Sequence, residues 1–258
     1  MPVLLAVAVL LFQAANVRAV TYLDPVEGKK EAQELVGKLL ALQPMENATN
    51  YGVLKIMPKD KTKRVEIPVK FGVAVTPSNW QMTYQTDISS TNGDFTFARS
   101  HFASATIIRS PGQPDVYQVP NINRPPQDTN EVHTLTGDQR MTAFAGSDFW
   151  VGDLGLDFLR WPVQRVVKKE FTHECGCSVL ESLNPNPNSQ GYSKVLTWFD
   201  NDSLGVVQAQ AYDAKGVLLK EFHPKSITKV NGQWQVDEIE MDNVQTGSRT
   251  LITFNLDK

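Results

Sequence analysis

The sequence predicts a mainly β (α+β) protein in which one antiparallel sheet curls into an open barrel beneath a short helical lid. After residue 50, apolar and polar side chains alternate with the period of two that is typical of strands. Turn sequences rich in Asn, Asp and Gly separate the later strands, so strands adjacent along the chain must pair antiparallel. About ten or more strands in one sheet must curl, close or split.

The composition excludes some classes of function. Of the 258 residues, 41% are apolar and 21% are charged, as expected for a folded soluble protein. The formal net charge is −3, so the chain lacks the basic excess that binding to nucleic acid requires. We therefore expect no nucleic-acid partner and no strong attraction to an anionic membrane surface.

The first residues are typical of an export signal. Val3–Phe12 form a short apolar stretch, and Val17-Arg18-Ala19 match the small-x-small pattern of a cleavage site. No Lys or Arg precedes the stretch, and a buried N-terminal strand or helix is the alternative. We expect residues 1–19 to be a signal peptide and residues 20–258 to be one domain. Because no cysteine before Cys175 can carry a lipid anchor, we expect a soluble periplasmic protein.

The strongest helix prediction covers residues 25–42. Asp24 is placed to cap this helix, and Pro25 suits its first position. Its apolar face is predicted to contain Leu35, Val36, Leu39 and Leu40, with Val26 and Ala32 near them.

Strands are predicted on both sides of the middle of the chain. Those in the first half are Tyr51–Met57, Val65–Val75, Trp80–Thr86, Phe95–Phe97, Ala103–Arg109 and Val116–Val119. Pro68 predicts an edge strand or a bulge, and Val132–Leu135 with Met141–Phe144 is expected to form a hairpin. The later strands are predicted at 163–171, 175–182, 192–199, 205–212, 217–222, 234–241 and 248–256.

Residues 142–161 combine bulky apolar side chains with three glycines. Glycine weakens a helix, so this composition suits a segment that covers an apolar space and can move. We expect a short helix over 149–159, capped by Ser147 or Asp148, with Trp150, Leu154 and Phe158 on one face. The predicted lipid-binding or lid residues are Phe144, Phe149, Trp150, Leu154, Phe158, Leu159 and Trp161. Ordinary core packing is the alternative.

Charged residues in and after this segment are predicted to be exposed to solvent. The aspartates Asp148, Asp153 and Asp157 have the spacing of a solvated helix face. The basic run Arg160, Arg165, Lys168 and Lys169 is predicted to lie on a solvated strand face. The alternative for the basic run is contact with an acidic partner or a lipid head group.

The sequence contains no nucleophile elbow and no glycine-rich phosphate loop. We expect no catalytic residue, no metal and no cofactor. His173, Cys175 and Cys177 would share one side of an extended strand, which suits zinc or copper, but a fourth ligand is not apparent. The two cysteines are otherwise a disulfide or a reduced pair.

Several segments resemble the outer-membrane lipoprotein-sorting (LolA-like) family. They are Phe144–Leu154, whose sequence is FAGSDFWVGDL, together with Tyr192–Asp200, Ala211–Lys220, Asn231–Trp234 and Gln245–Thr250. The resemblance implies a half-open antiparallel β-barrel with helices over its mouth. It also implies a carrier that holds the acyl chains of lipoproteins.

The function expected from the sequence is an exported, soluble and monomeric lipid-binding carrier. Its cargo would be the acyl chains of lipoproteins or other lipids destined for the outer membrane, with transient contacts to membrane-bound donor and acceptor proteins. One alternative is an envelope sensor or scaffold that uses the same barrel to detect lipid or protein. Another is a metal-dependent enzyme that uses His173, Cys175 and Cys177.

Overall fold

The computed structural model describes residues 20–60, 64–87, 103–120, 132–230 and 233–255. The predicted signal peptide and the predicted strand Phe95–Phe97 lie outside these ranges. In the described ranges no helix has both the length and the apolar character needed to cross a bilayer.

Fourteen strands make up one antiparallel sheet in the described part of the chain. In chain order, β1 to β14 are Thr21–Tyr22, Ala48–Met57, Val65–Val75, Trp80–Thr86, Ser104–Arg109, Val116–Pro120, Val132–Leu135, Val163–Thr172, Cys175–Leu183, Tyr192–Asp200, Val206–Asp213, Leu218–Val230, Gln233–Asn243 and Ser248–Asn255. The mainly β prediction is confirmed, and most predicted strands match observed ones within a few residues.

The sheet consists of two meanders joined by pairing between distant parts of the chain. Its spatial order is β1-β8-β9-β10-β11-β12-β13-β14-β2-β3-β4-β5-β6-β7. The first meander, β2–β7, and the second, β8–β14, meet where β14 pairs with β2. Strands β1 and β7 form the two edges, so the sheet is open.

Pro68 lies in an interior strand, so the edge-strand prediction is wrong. Strand β3 pairs with β2 on one side and β4 on the other. The carbonyl of Pro68 accepts a hydrogen bond from the backbone of Asp87, just past the end of β4. The nitrogen and the carbonyl of a strand residue point to the same side of the strand, so the N–H that proline lacks would face the end of β4. No hydrogen bond between paired residues of β3 and β4 is therefore lost.

The N-terminal helix α1 spans Pro25–Ala41 and is capped by the side chain of Asp24, as predicted. It packs against β8, where Gly28 lies so close to the carbonyl of Val166 that a Cβ would overlap it. Ala32 and Val36 are buried beneath the helix, whereas Val26, predicted near the apolar face, is 81% exposed.

The sheet curls around two adjoining apolar clusters. The first contains side chains of β2, β3, β5, β6, β7, β13 and β14. The second contains side chains of α1 and of β8–β11. The chain between β7 and β8 contributes to both clusters.

The predicted hairpin of Val132–Leu135 with Met141–Phe144 is wrong. Strand β7 pairs instead with the buried strand β6. A 3₁₀ turn at Gly137–Arg140 follows it, and the side chain of Gln139 accepts a hydrogen bond from the backbone of Thr136 at 2.9 Å. This turn redirects the chain before it can return along β7.

Candidate functional site

Residues 141–161, here called the crossing segment, connect the two sides of the open sheet. The segment leaves β7 at one edge and enters β8 beside the other edge strand, β1. It therefore crosses the open side of the sheet, where the sequence predicts a lid.

The crossing segment contains two short helical turns rather than the predicted helix over 149–159. Helix α2 spans Val151–Leu154, and a 3₁₀ turn spans Asp157–Arg160. Between them Leu156 has a left-handed backbone with φ of 51°, which interrupts a right-handed helix. Gly155, just before it, packs against the ring of Tyr117, where a Cβ would overlap the hydroxyl.

The predicted caps are also replaced by other contacts. Asp153 accepts a hydrogen bond from the backbone of Trp150 at 2.8 Å, at the start of α2. Ser147 instead accepts one from the backbone of Phe149 at 3.2 Å, within the preceding turn. Ser147 therefore stabilises a turn and does not cap the helix.

All seven predicted lid residues contact the apolar clusters. Phe144, Phe149 and Leu154 are buried in the first cluster, and Phe158 and Leu159 in the second. Trp150 and Trp161 are partly buried against the second cluster. The ring of Trp150 stacks on Tyr192 with centroids 4.2 Å apart.

A cavity of about 270 Å³ lies between the crossing segment and the sheet. Its lining is mainly apolar and comprises Met82, Tyr84, Arg109, Phe149, Asp153, Leu154, Gly155, Leu156, Val206, Phe222, Ile239 and Ile252. A much smaller pocket shares four of these residues and adds Phe158 and Lys220. Sequence reasoning missed the strand residues of this wall, although Met82, Tyr84, Phe222 and Ile239 each lie between polar neighbours, a pattern that assigns them to an apolar face.

The cavity and the pockets beside it separate the predicted lid residues into three groups. Phe149 and Leu154 line it, whereas Phe158, Trp150 and Trp161 line smaller pockets beside it. Phe144 and Leu159 are equally buried but line none of these spaces. The first and third groups provide matched pairs, one of phenylalanines and one of leucines, for testing which side chains contact a ligand.

The prediction of a solvated aspartate face is wrong, because Asp148 and Asp157 are buried, Asp153 is partly buried, and all three are bonded. Asp148 accepts hydrogen bonds from the hydroxyls of Ser248 at 2.6 Å and Thr250 at 2.8 Å. Asp157 pairs with Arg140 at 2.6 Å. These contacts join the crossing segment to β14 and to the turn that follows β7.

The third aspartate, Asp153, lies beside a buried lysine. Lys220 in β12 donates to the backbone carbonyl of Asp148 at 2.6 Å, and its Nζ lies 3.7 Å from Asp153. The same Nζ is 3.5 Å from the ring centroid of Trp150, and the Tyr192 hydroxyl donates to Asp153 at 3.1 Å. Lys220 therefore links the sheet to the crossing segment.

Burial shifts the titration of this pair. It lowers the pKa of Lys220 to about 8, although the carboxylates of Asp153 and Asp148 act in the opposite direction. Burial also raises the pKa of Asp153, while Lys220 and the hydrogen bonds from Trp150 and Tyr192 favour its ionised form. The sequence signal for Lys220 is its position two residues before the cavity-lining Phe222, which places both on one face of β12.

A second polar cluster lies at Gly155. Arg109 donates to the carbonyl of Gly155 and to Asp115, the latter at 3.0 Å. Arg160 pairs with the other oxygen of Asp115 at 2.6 Å, and the Arg140 guanidinium lies 4.7 Å from the ring centroid of Tyr117. Arg109 and Arg160 thus share one buried carboxylate.

The basic run is engaged in ion pairs rather than forming a simple solvated face. Besides Arg160 with Asp115, the pairs are Arg165 with Glu181 at 2.7 Å, Lys168 with Glu170 at 2.8 Å and Lys169 with Glu31 at 2.6 Å. The last pair joins β8 to α1.

The structure brings the two cysteines together but places His173 in a turn. Cys175 and Cys177 are free thiols with Sγ atoms 3.2 Å apart. Burial raises the pKa of Cys177 to about 12, and a hydrogen bond and the charge of Cys175 add to the shift. His173 has φ of 48° in the turn between β8 and β9, so it does not extend the strand as a third ligand would.

The fold is shared with solved proteins, at identities that show likeness of fold alone. A DUF1329 family protein from Desulfovibrio piger matches with a TM-score of 0.67 and 19% identity, over 90% of this chain and 92% of that one. A putative outer membrane lipoprotein-sorting protein domain from Vibrio parahaemolyticus matches with a TM-score of 0.65 and 19% identity, over 90% of this chain and 92% of that one. A LolA superfamily protein from Nitrosomonas europaea matches with a TM-score of 0.56 and 17% identity, over 87% of this chain and 91% of that one.

These matches place the chain among proteins with a LolA-like fold, which confirms the resemblance seen in the sequence. A family model described as "Uncharacterized protein" matches residues 126–256, just over half of the chain, and the chain belongs to that family. No curated protein matches the sequence.

Proposed function

We propose that the protein is a carrier that holds the acyl chains of a lipoprotein or another lipid during transfer to the outer membrane. The observation that carries the proposal is the apolar cavity under the crossing segment. The names of two similar structures, a lipoprotein-sorting domain and a LolA superfamily protein, support the same class of cargo.

Transport of an acyl chain needs an apolar space and a way to open it. Each CH₂ group removed from water contributes about 0.8 kcal/mol, so a sheltered chain is held without covalent chemistry. The cavity of about 270 Å³ is near the lower end of ligand pockets, which span about 300–1,000 Å³. A larger cargo therefore requires the crossing segment to move away from the sheet.

The proposed setting is the periplasm. A signal peptide at residues 1–19 would direct export, and residues 20–258 would form one soluble, monomeric domain. The carrier would contact membrane-bound donor and acceptor proteins transiently. We assign it no enzymatic activity, since release of a lipid from a cavity requires only that the cover opens.

Lipid analysis tests this proposal directly. The protein is purified from the envelope fraction without detergent, extracted with organic solvent and analysed by mass spectrometry. We expect a lipid at a reproducible molar ratio, and we expect mature protein that begins near Val20. Lipid-free protein that also fails to take up a fluorescent fatty-acid probe would contradict the carrier function.

A further inference from the structure

We propose that the cavity takes a single-chain amphiphile with an anionic head group, a carboxylate or a phosphate, bound at Arg109. The proposal rests on the carrier function above and specifies its ligand class. The apolar walls would hold the alkyl chain, and the polar cluster at Gly155 would hold the head group.

The first step is the position of charge along the cavity wall. Two charged side chains line the cavity, Arg109 and Asp153. Asp153 is balanced by Lys220, whose ammonium group lies 3.7 Å away. Arg109 is the cationic side chain at the wall, so the cavity has a polar end that favours an anion.

The second step is the charge balance around Arg109. Among the described side chains of this cluster, three guanidinium groups, those of Arg109, Arg140 and Arg160, pair with two carboxylates, Asp115 and Asp157. One positive charge is therefore left without a carboxylate in the described part of the cluster. The three guanidinium groups are partly buried, so the excess charge is incompletely solvated and a bound anion would stabilise it.

The third step is a pair of unused hydrogen-bond donors. Within the described residues, the hydroxyl of Tyr117 and the Nε of Arg160 are buried without a hydrogen-bond partner. Tyr117 is fully buried, and its hydroxyl lies against Gly155, whose backbone lines the cavity. Buried polar groups are normally hydrogen-bonded. Neither side chain is among those that line the cavity, so both donors lie behind its wall and would reach a head group at Arg109 only after a local shift at Gly155.

The fourth step is the volume of the cavity, which limits how many alkyl chains it can hold. An engineered cavity of about 150 Å³ holds one benzene molecule. The cavity of about 270 Å³ is less than twice that volume. It therefore has room for one alkyl chain and not for several side by side.

Competition binding tests the head-group preference in the wild-type protein. A neutral fluorophore bound in the cavity is displaced by dodecanoate, dodecyl phosphate or dodecanol, which share one chain length. We expect each anionic ligand to bind about 10-fold more tightly than dodecanol, the value of one charge-assisted hydrogen bond. Inorganic phosphate alone should not displace the fluorophore, because it has no chain to bury.

The variant Arg109→Gln should bring the affinities for dodecanoate and dodecanol close together. Arg165→Gln, which removes an arginine paired with Glu181 away from the cavity, is the matched control and should retain the preference. If Arg109→Gln does not fold, acidification of the wild type replaces it. Near pH 4 a carboxylate ligand becomes largely neutral, so dodecanoate should lose its advantage while dodecyl phosphate keeps it.

The outcomes separate this inference from the carrier proposal. Equal affinity for the acid and the alcohol would overturn the anionic head-group site and leave lipid carriage intact. Failure of all three dodecyl compounds to displace the fluorophore would contradict both. Displacement by inorganic phosphate alone would identify a site for free anions and overturn the amphiphile.

Discussion

At the scale of single residues, Lys220 has the most unusual environment. Its ammonium group is buried between a backbone carbonyl, a carboxylate and the ring of Trp150. A lysine is expected to be buried only where its ammonium group has polar or charged partners. Its partners all belong to, or contact, the crossing segment, so its charge state affects how firmly that segment is held.

The titration of Lys220 predicts a dependence of stability on pH. Its pKa is about 8 in the folded protein, against 10.5 for an unperturbed lysine. Between these values the unfolded chain binds more protons than the folded one, so this group's contribution to stability rises with pH. The free energy of unfolding of the wild type should therefore rise by about 1 kcal/mol per pH unit, relative to that of Lys220→Met, from about pH 8 to pH 10.

The measurement is urea denaturation of both proteins at several pH values. Lys215→Met, in the exposed turn between β11 and β12, is the control, and its stability should follow that of the wild type. Parallel curves for wild type and Lys220→Met would show that Lys220 keeps an ordinary titration.

A second residue-level prediction concerns the cysteines. Cys177 is fully buried and its pKa is raised to about 12, whereas Cys175 is partly exposed. Because the thiolate is the reactive form, an alkylating reagent should modify Cys175 first and leave Cys177 intact in the folded protein. Mass spectrometry after brief alkylation identifies which cysteine has been modified. In urea, both thiols should react. Resistance of both until a reductant is added would instead identify a disulfide.

At the scale of elements, the crossing segment combines core and cavity residues in one stretch of chain. Phe144 and Phe149 are both buried in the first cluster, with 0% and 3% exposure, but only Phe149 lines the cavity. The same contrast holds between Leu154, which lines the cavity, and Leu159, which does not. Comparisons within each pair keep residue type and burial nearly constant.

Truncation of the two phenylalanines should have different effects. Phe144→Ala should cost about 3–5 kcal/mol of stability, as for a packed core phenylalanine, with unchanged probe affinity in the folded fraction. Phe149→Ala should cost less, because the cavity already limits its contacts. It should weaken binding of a fluorescent fatty-acid probe about 10-fold through lost apolar burial. Urea denaturation measures the change in stability, and titration with the probe measures the change in affinity.

The leucine pair repeats the test with a smaller side chain. Leu154→Ala should lower probe affinity and Leu159→Ala should not. Equal effects within both pairs would mean that the crossing segment is ordinary core and that the lid assignment is wrong.

The elements were predictable from sequence where one local pattern decides the structure. Val65–Val75 and Trp80–Thr86 alternate regularly and form strands with those bounds. The hairpin after Val132 and the helix over 149–159 were not predictable in this way. Their outcomes depend on partners distant in sequence, namely β6 for one and Tyr117 against Gly155 for the other.

The site was predictable only on its apolar side. Bulky residues with glycines indicated the crossing segment, and it does lie over a cavity. The polar side was missed because aspartates at helical spacing are usually solvated. Their partners Lys220, Ser248 and Thr250 lie far along the chain, and a local pattern cannot show such pairing.

At the scale of the whole molecule, an edge strand and an interior strand of the sheet differ in their importance for folding. Strand β1 has two residues and, among the described strands, pairs with β8 alone, at an edge. Strand β14 lies in the interior, between β13 and β2, and joins the two meanders. Loss of β14 would expose the edges of both neighbours.

Two truncations test this difference. Deletion of residues 248–255 should yield insoluble protein, because unpaired apolar strand edges associate with other chains. Deletion of Thr21 and Tyr22, which are both exposed, should leave soluble protein with a cooperative melt. The assay is sedimentation of expressed protein followed by thermal denaturation. Soluble, folded protein without β14 would show that the meanders are independent.

The pairing of β14 with β2 also has a consequence for the kinetics of folding. Tyr51 pairs with Asn255, so this contact closes a very long loop. Folding slows as the sequence separation of native contacts grows. Each meander can form early from local hairpins, but the two meanders join only when β14 pairs with β2. Until β14 pairs with β2, the edge of β2 is open, and the folding chain is vulnerable to aggregation there.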